Sequence, residues 1–347
     1  MSEYPAVSYV MPVLNEQRHL ADAVAAVLAQ EYPAEAELVL ALGSSTDDTT
    51  AIAHELAAGD DRIILVDNPR NDIPVGLNLA IRASRHPIVV RVDAHAELPA
   101  GYTRTMVDLL NEHGAVNVGG VMHAKGHTPF QSAVARAYNS PWGLGGGQYH
   151  GAKKAGPSDS AYLGVFRREV LDQVGGYDES LRRAEDWELN SRILAAGHLI
   201  WYTPDVAVTY WPRATPASLR RQMFATGAWR GHLVREQRFR TPLKYLAPPV
   251  VVLALAASGL VAVAQLTGAL RDRPAAVAGA VYAAPLAYAG GLAAVAKKSL
   301  GAESRSEWLL NIAVLGIMHL SWGAGFLRGL FSGAHATVDK SRVKRAG

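Results

Sequence analysis

Pro87-Ile88-Val89-Val90-Arg91-Val92, followed at once by Asp93-Ala94-His95, reads as a buried strand that delivers a carboxylate and an imidazole at its carboxyl end. Working back toward the N-terminus, the same kind of short apolar run recurs at residues 7–13, 38–42 and 63–66. Between these runs lie stretches with the length of helices: from the polar turn Asn15-Glu16 to about residue 30, from the cap cluster Gly43-Ser44-Ser45-Thr46-Asp47-Asp48 to about residue 58, and over 75–84. Strands alternating with helices of this size predict an α/β fold with a mainly parallel sheet covered on both faces. In such sheets ligands collect at the carboxyl ends of the strands, so the residues just after Val13, Leu42 and Val92 are the first to weigh for function.

The rest of the chain is different in kind. Hydrophobic residues make up 49% and charged residues 19%, and the average hides a break near residue 245. Residues 246–270, 274–296 and 308–327 carry no charged side chain. Each is about 20 residues or more, enough for roughly 30 Å of hydrocarbon, so about three transmembrane helices are expected. Arg220, Arg221, Arg230 and Arg235 crowd the approach to the first of them, which places the N-terminal part in the cytoplasm by the positive-inside rule. Lys297, Lys298 and Arg305 before the third carry the same signal, whereas a basic tail (Lys340, Arg342, Lys344, Arg345) after three full spans conflicts with it. No signal peptide is visible before Tyr9. A net charge of +3 gives no case for nucleic acid, and the absence of cysteine excludes disulfides and thiolate-held zinc.

Two constellations carry chemistry. Asp93 and His95 can both face one hard divalent cation, or simply end a strand. Glu185-Asp186 opens a helix reaching residue 196; the pair serves either as dipole-matched capping or as a half-solvated, ionised general base. Gly143 to Gly147 with Lys153 and Lys154 lacks the phosphate-loop spacing and reads as a surface loop or a mobile cover. Residues 218–238 mix arginines with Met223, Phe224, Trp229 and Leu233, a composition suited to a membrane interface.

Taken in order over about residues 5–235, these features resemble the family 2 inverting glycosyltransferases of GT-A nucleotide-sugar fold. Val10-Met11-Pro12-Val13-Leu14-Asn15-Glu16 is similar to the family's opening motif, and Gly43-Ser44-Ser45-Thr46-Asp47-Asp48-Thr49 to its D-G-x-S-x-D-x-T turn. Arg91-Val92-Asp93-Ala94-His95 stands where the metal-binding D-x-D belongs. Gly164-Val165-Phe166-Arg167-Arg168, Gly175-Gly176-Tyr177-Asp178 and Glu185-Asp186-Trp187-Glu188 follow the run up to the catalytic acidic pair. The Asp-Ala-His form and the terminal apolar helices resemble exopolysaccharide glucosyltransferases of the succinoglycan type. The resemblance implies that Pro12, Val13, Asn15, Glu16, Gly43, Ser45, Asp47 and Asp93 border a nucleotide sugar, UDP-linked by preference, with Arg230 near its diphosphate. Asp93 and His95 would hold Mn²⁺ or Mg²⁺, and Asp186, with Glu185 beside it, would act as base. Two positions depart from the pattern: Leu42 replaces the acid that heads the D-G-x-S turn, and His95 replaces a carboxylate.

The expected organisation is a catalytic domain over 1–215, a basic interfacial helix over 216–245, a transmembrane region over 246–331 and a basic tail over 332–347. The expected activity is transfer to a polyprenyl-(di)phosphate-linked acceptor at the cytoplasmic face of a membrane, with membrane lipids as partners. The rivals are a polyprenyl-phosphate glycosyl synthase and a non-catalytic nucleotide-sugar-binding scaffold.

Overall fold

The computed structural model describes residues 4–144, 148–150, 152–236, 243–269, 279 and 281–334. The four apolar runs become β1 (Val7–Val13), β2 (Ala36–Leu42), β3 (Ile63–Asp67) and β4 (Ile88–Arg91), separated by α1 (Leu20–Leu28), α2 (Thr49–Gly59) and α3 (Ile73–Ala83). The first helix begins later than the turn at Asn15-Glu16 predicts. Asn15 sits in the left-handed region at φ 55°, which keeps that turn out of the helix. There follow α4 (Tyr102–Glu112), β5 (Asn117–Ala124), α5 (Pro129–Tyr138), α6 (Pro141–Leu144), β6 (Gly156–Pro157), β7 (Tyr162–Arg167), α7 (Arg168–Val174), α8 (Glu185–Ala195) and β8 (Ile200–Tyr210). The chain then continues as α9 (Pro216–Arg235), α10 (Ala247–Leu266), α11 (Ala283–Lys298) and α12 (Arg305–Ser332).

The described residues fall into two compact units, one holding residues 4–124 and 148–211 and the other 125–144 and 212–334. The first is built on an eight-stranded sheet in the order β3-β2-β1-β4-β7-β5-β8-β6. The four strands read from the sequence pair in parallel, whereas β7 lies antiparallel between β4 and β5, so the sheet is mixed beyond β4. Strand periodicity sends Tyr9, Met11 and Val13 to one face, against α1 and α4, and Val10 to the other, against α3, α7 and α8. Both faces are therefore covered, and each large side chain so buried contributes roughly 1.5–3 kcal/mol.

The second unit is helical. On α9, Gly227 and Gly231 form a G-x-x-x-G pair, and Gly325 and Gly329 form another on α12. A Cβ at Gly227 would run into the carbonyl oxygen of Trp322, one at Gly231 into that of Phe326, and one at Gly329 into that of Ala228. The contacts ascend together along both helices, so α9 and α12 run parallel with their backbones touching, a mode of packing that membrane helices favour. As a consequence α9 is embedded more deeply than a helix lying on a surface: Trp229 is 1% exposed and Leu219 and Leu233 are fully buried. The N-terminal half of α12 is held by α5, through Arg136 Nε donating to Asn311 Oδ1 at 3.1 Å.

Among the described residues two helices, α10 and α12, are long and apolar enough to cross a membrane. Only 11% of the apolar stretch of α10 is buried within the protein, against 39% for α12, so α10 is the more dependent on an outside apolar medium. The described part of the middle expected span is α11, 16 residues long; residues 270–278 and 280 lie outside the described residues. The tail lysines and arginines, Gly145 to Gly147, and residues 237–242 also lie outside them.

Candidate active site

The loops that follow β1 and β2 are tied to each other by the residues the sequence singles out. Asn15 N donates to Ser45 Oγ at 3.0 Å, and Thr46 N returns a bond to Asn15 Oδ1 at 2.7 Å. Glu16 N donates to Thr49 Oγ1 at 2.8 Å, and Thr49 Oγ1 in turn donates to Asp47 Oδ1 at 2.5 Å. Burial raises the Asp47 pKa, but the bonds from Thr49 outweigh it and hold that carboxyl below its ordinary value. Gly43 N donates to Val13 O at 2.8 Å, and a Cβ at Gly43 would stand 2.9 Å from Asn71 Oδ1, so this close approach needs glycine. The side chains of Val13 and Leu42 are packed in the core, 2% and 7% exposed; Val13 reaches the site through its backbone. Pro12 is half-buried beside them.

Beyond β4 the chain turns sharply, Ala96 N donating to Asp93 O at 2.8 Å. His95 Nδ1 lies 3.0 Å from Glu16 Oε1, which joins the loop after β4 to the loop after β1. Asp93 instead faces backward, with Arg91 Nε and Nη2 each donating to its Oδ1 at 3.3 Å. Among the described residues no cluster of three or more His, Asp or Glu side chains forms a metal site. Asp93 and His95 carry oxygen and nitrogen donors of the kind that Mg²⁺ or Mn²⁺ accepts, but Asp93 is turned to Arg91 and His95 to Glu16, so these side chains alone do not make a cage.

Arg91 is the residue that sequence reasoning missed. It ends the apolar strand β4 yet its side chain is only 5% exposed, and Asp93, Glu185 and Asp186 surround it. Arg91 Nη1 donates directly to Asp186 Oδ1, Glu185 Oε1 lies 3.7 Å from Nη2, and the guanidinium stands 5.8 Å from the Tyr177 ring centroid. Burial alone would lower the Arg91 pKa; the carboxylates, Asp93 first, overcome it and raise it instead. Burial likewise pushes Tyr177 up to about 12. A cation within a buried strand has to be paired, and that rule was the available signal.

The acidic pair stands at the start of α8. Asp186 is 40% exposed at its side chain, matching the half-solvated expectation, whereas Glu185 is only 11% exposed. Ala184, just before them, is held at φ 65°, a conformation costly for a residue with a Cβ. The segment entering α8 is clamped from α3: Asn78 Nδ2 donates to Tyr177 O at 2.8 Å, and Tyr177 N donates to Asn78 Oδ1 at 2.9 Å. Arg230 belongs to the second unit, where its guanidinium lies 4.5 Å over the Tyr245 ring.

The glycosyl transferase family 2 model matches residues 8–175, which include the loops after β1, β2 and β4. Succinoglycan biosynthesis protein ExoA of Rhizobium meliloti is 32% identical over 323 residues, 92% of this chain and 94% of that protein. The dolichyl N-acetyl-alpha-D-glucosaminyl phosphate 3-beta-D-2,3-diacetamido-2,3-dideoxy-beta-D-glucuronosyltransferase of Methanococcus voltae is 20% identical over 242 residues, 67% of this chain and 75% of that enzyme. Among solved structures, the mannosyltransferase PcManGT of Pyrobaculum calidifontis, in complex with GDP-Man and Mn²⁺, covers 95% of this chain with a TM-score of 0.62 at 20% identity. In that match this chain covers 88% of the mannosyltransferase.

Proposed function

The chain belongs to glycosyltransferase family 2 and is a transferase of GT-A fold, and from that premise we propose that it moves a sugar from a UDP-linked donor to a lipid-linked acceptor with inversion. The observation that carries the mechanism is the ion pair of Arg91 with Asp186, in a cluster that also holds Asp93. Asp186 is accessible enough to meet an acceptor hydroxyl, and its Oδ1 is engaged by Arg91 while Oδ2 takes the proton. Arg91 fixes the direction of that carboxylate, and Glu185, nearly buried, balances the charge of the guanidinium. The deprotonated hydroxyl attacks the anomeric carbon from the side opposite the diphosphate.

Pro12, the Val13 backbone, Asn15, Glu16, Gly43, Ser45 and Asp47 form the nucleotide cradle, held in shape by the mutual bonds of the first two loops. With Leu42 in the core in place of an acid, base recognition falls to Glu16 and backbone groups. Asp93 and His95 would hold a divalent cation, Mn²⁺ or Mg²⁺, which would offset charge on the departing diphosphate. The family resemblance assigns Arg230 to the same group.

The lipid-linked acceptor rests on the apolar C-terminal helices and on the name of the Methanococcus voltae relative, which acts on a dolichyl-linked sugar phosphate. A catalytic domain over 1–215 then stands in the cytoplasm, with a basic helix over 216–245, a multi-pass membrane region over 246–331 and a basic tail after it. Exopolysaccharide synthesis is the setting that the Rhizobium meliloti relative favours.

The test is Asp186→Asn in the full chain, assayed for sugar transfer from UDP-sugars to membrane lipid extracts with Mn²⁺ present. Turnover is expected to fall roughly 100- to 10,000-fold, the usual weight of a general base, with UDP binding retained. Transfer at near wild-type rate by the folded variant removes Asp186 from the role of base. Failure of the wild-type chain to transfer sugar to any lipid fraction removes the lipid-linked acceptor.

A further inference from the structure

The second unit contains a cleft of about 500 Å³ between α9 and α12, lined by Arg220, Arg221, Phe224 and Ala225 on one side and by Leu320, Ser321 and Ala324 on the other. Its composition is unusual for a surface cleft. Its floor and far wall are largely apolar, with Ala225 buried and Leu320 37% exposed, while two exposed arginines, consecutive on α9, line the other side. Four other arginines of this unit have partners. Arg136 holds Asn311, Arg230 covers the Tyr245 ring, Arg235 donates to Phe331 O, and Arg328 donates to Gly333 O. Among the described residues no carboxylate pairs with Arg220 or Arg221. Two exposed arginines lining one cleft beside the apolar helix α12 make that cleft a place where positive charge meets apolar surface, which attracts an anion with an apolar tail.

We infer that this cleft is a binding site for the diphosphate headgroup and first isoprene units of a polyprenyl-diphosphate lipid. Arg220 and Arg221 offer paired forks of N–H donors that match phosphate oxygens in geometry and charge. Ser321 adds a hydroxyl donor on the opposite wall. Phe224, Leu320 and Ala324 supply the apolar contact that a free phosphate does not use. The cleft suits this occupant better than an ordinary anionic phospholipid, because a diphosphate spans two adjacent guanidinium groups and a single unbranched headgroup leads directly into one chain. The glycine contacts at Gly227 and Gly325 fix the two walls, so the site exists before its ligand arrives.

The inference deepens the reading of a lipid-linked acceptor and rests on it. Its test is a titration of the full chain, in detergent, with farnesyl diphosphate, and with farnesol and inorganic diphosphate as the tail and the head alone. Farnesyl diphosphate is expected to bind, with each half binding at least roughly tenfold more weakly. The double variant Arg220→Ala/Arg221→Ala is expected to weaken farnesyl diphosphate roughly tenfold or more. Leu320→Trp, which fills the apolar wall, weakens it while leaving inorganic diphosphate unchanged. UDP binding is measured in every variant as the check of folding. Equal affinity for inorganic diphosphate and farnesyl diphosphate overturns the lipid site in favour of a plain anion site. Unchanged farnesyl diphosphate affinity in the folded double variant overturns the cleft itself. If the wild-type chain transfers sugar to no lipid but farnesyl diphosphate still binds through Arg220 and Arg221, the acceptor reading falls and the cleft stands. If transfer to lipid persists undiminished in the double variant, the cleft falls and the acceptor reading stands.

Discussion

Arg91 and Asp186 are 95 residues apart in the chain, yet Nη1 of the first donates directly to Oδ1 of the second. The bond joins the end of a central strand to the first turn of α8, and it does so through a guanidinium almost wholly removed from water. Desolvating that cation is costly, and three carboxylates repay the cost only while the cation is there.

Arg91→Met therefore leaves Asp93, Glu185 and Asp186 repelling one another with no counter-charge. The expected outcome is a loss of roughly 3–5 kcal/mol in unfolding free energy, read by chemical denaturation in detergent. Arg91→Lys keeps the charge but not the fork. It is expected to fold near wild type, with kcat lowered more than KM for the donor, because a point charge orients Asp186 poorly. Equal loss in both constants would make Arg91 a donor-binding group instead.

Ala184 occupies the left-handed region immediately before the acidic pair. Ala184→Gly removes a steric cost of roughly 1 kcal/mol, so thermal stability rises or stays level. Turnover is expected to fall all the same, because the looser hinge lets Glu185 and Asp186 wander from Arg91. Thermal melting and kcat measured on one preparation separate the two effects.

Glu37 anchors the opposite end of the sheet, accepting from Ser8 Oγ at 2.7 Å and from Arg85 N at 2.6 Å. Burial raises its pKa, but the bonds from Ser8 and Arg85 outweigh it, and the net shift is downward from 4.5. A folded-state pKa below the unfolded one contributes stability above the unfolded value, and that contribution disappears as pH falls through the folded value. Glu37→Gln is thus expected to be less stable than wild type at neutral pH. The gap should close on acidification below 4.5, as followed by urea titration across that range.

Glycine at the α9–α12 contact is a packing requirement, whereas glycine at position 259 on α10 is not. Gly329→Ala pushes a methyl group into the Ala228 carbonyl, at an expected cost of about 1–3 kcal/mol. Gly259→Ala on α10 meets nothing within 4 Å and gains helix propensity, so it is expected to be neutral or stabilising by up to about 1 kcal/mol. Paired melting curves of these two variants measure the contact against its own control.

The strands of the first half were legible because apolar runs of the right length report their own burial. The binding loops were legible because the ends of parallel strands converge. Neither signal reports which distant strand lies next in the sheet, so the antiparallel insertion of β7 beside β4 was not readable. For the same reason Arg91 looked like part of a strand and Asp186 like part of a helix start; only the fold brings them together. The two G-x-x-x-G pairs stood in plain view, but glycine spacing has meaning only once a facing helix is known. Likewise the placing of α5 with the C-terminal helices depends on Asn311, a partner that no local pattern announces.

That last partnership has a price in time. Asn311 follows Arg136 by 175 residues, and a ribosome adds roughly 5–20 residues per second. For roughly 9 to 35 seconds of each round of synthesis, α5 exists without the helix that later covers it. During that interval Ala133, Val134 and Ala137, all buried in the finished protein, are open to any other apolar surface. Strands β6, β7 and β8 are made within that interval, so the sheet receives its last strand well before α5 receives its cover, and a chaperone or the membrane itself can act in between.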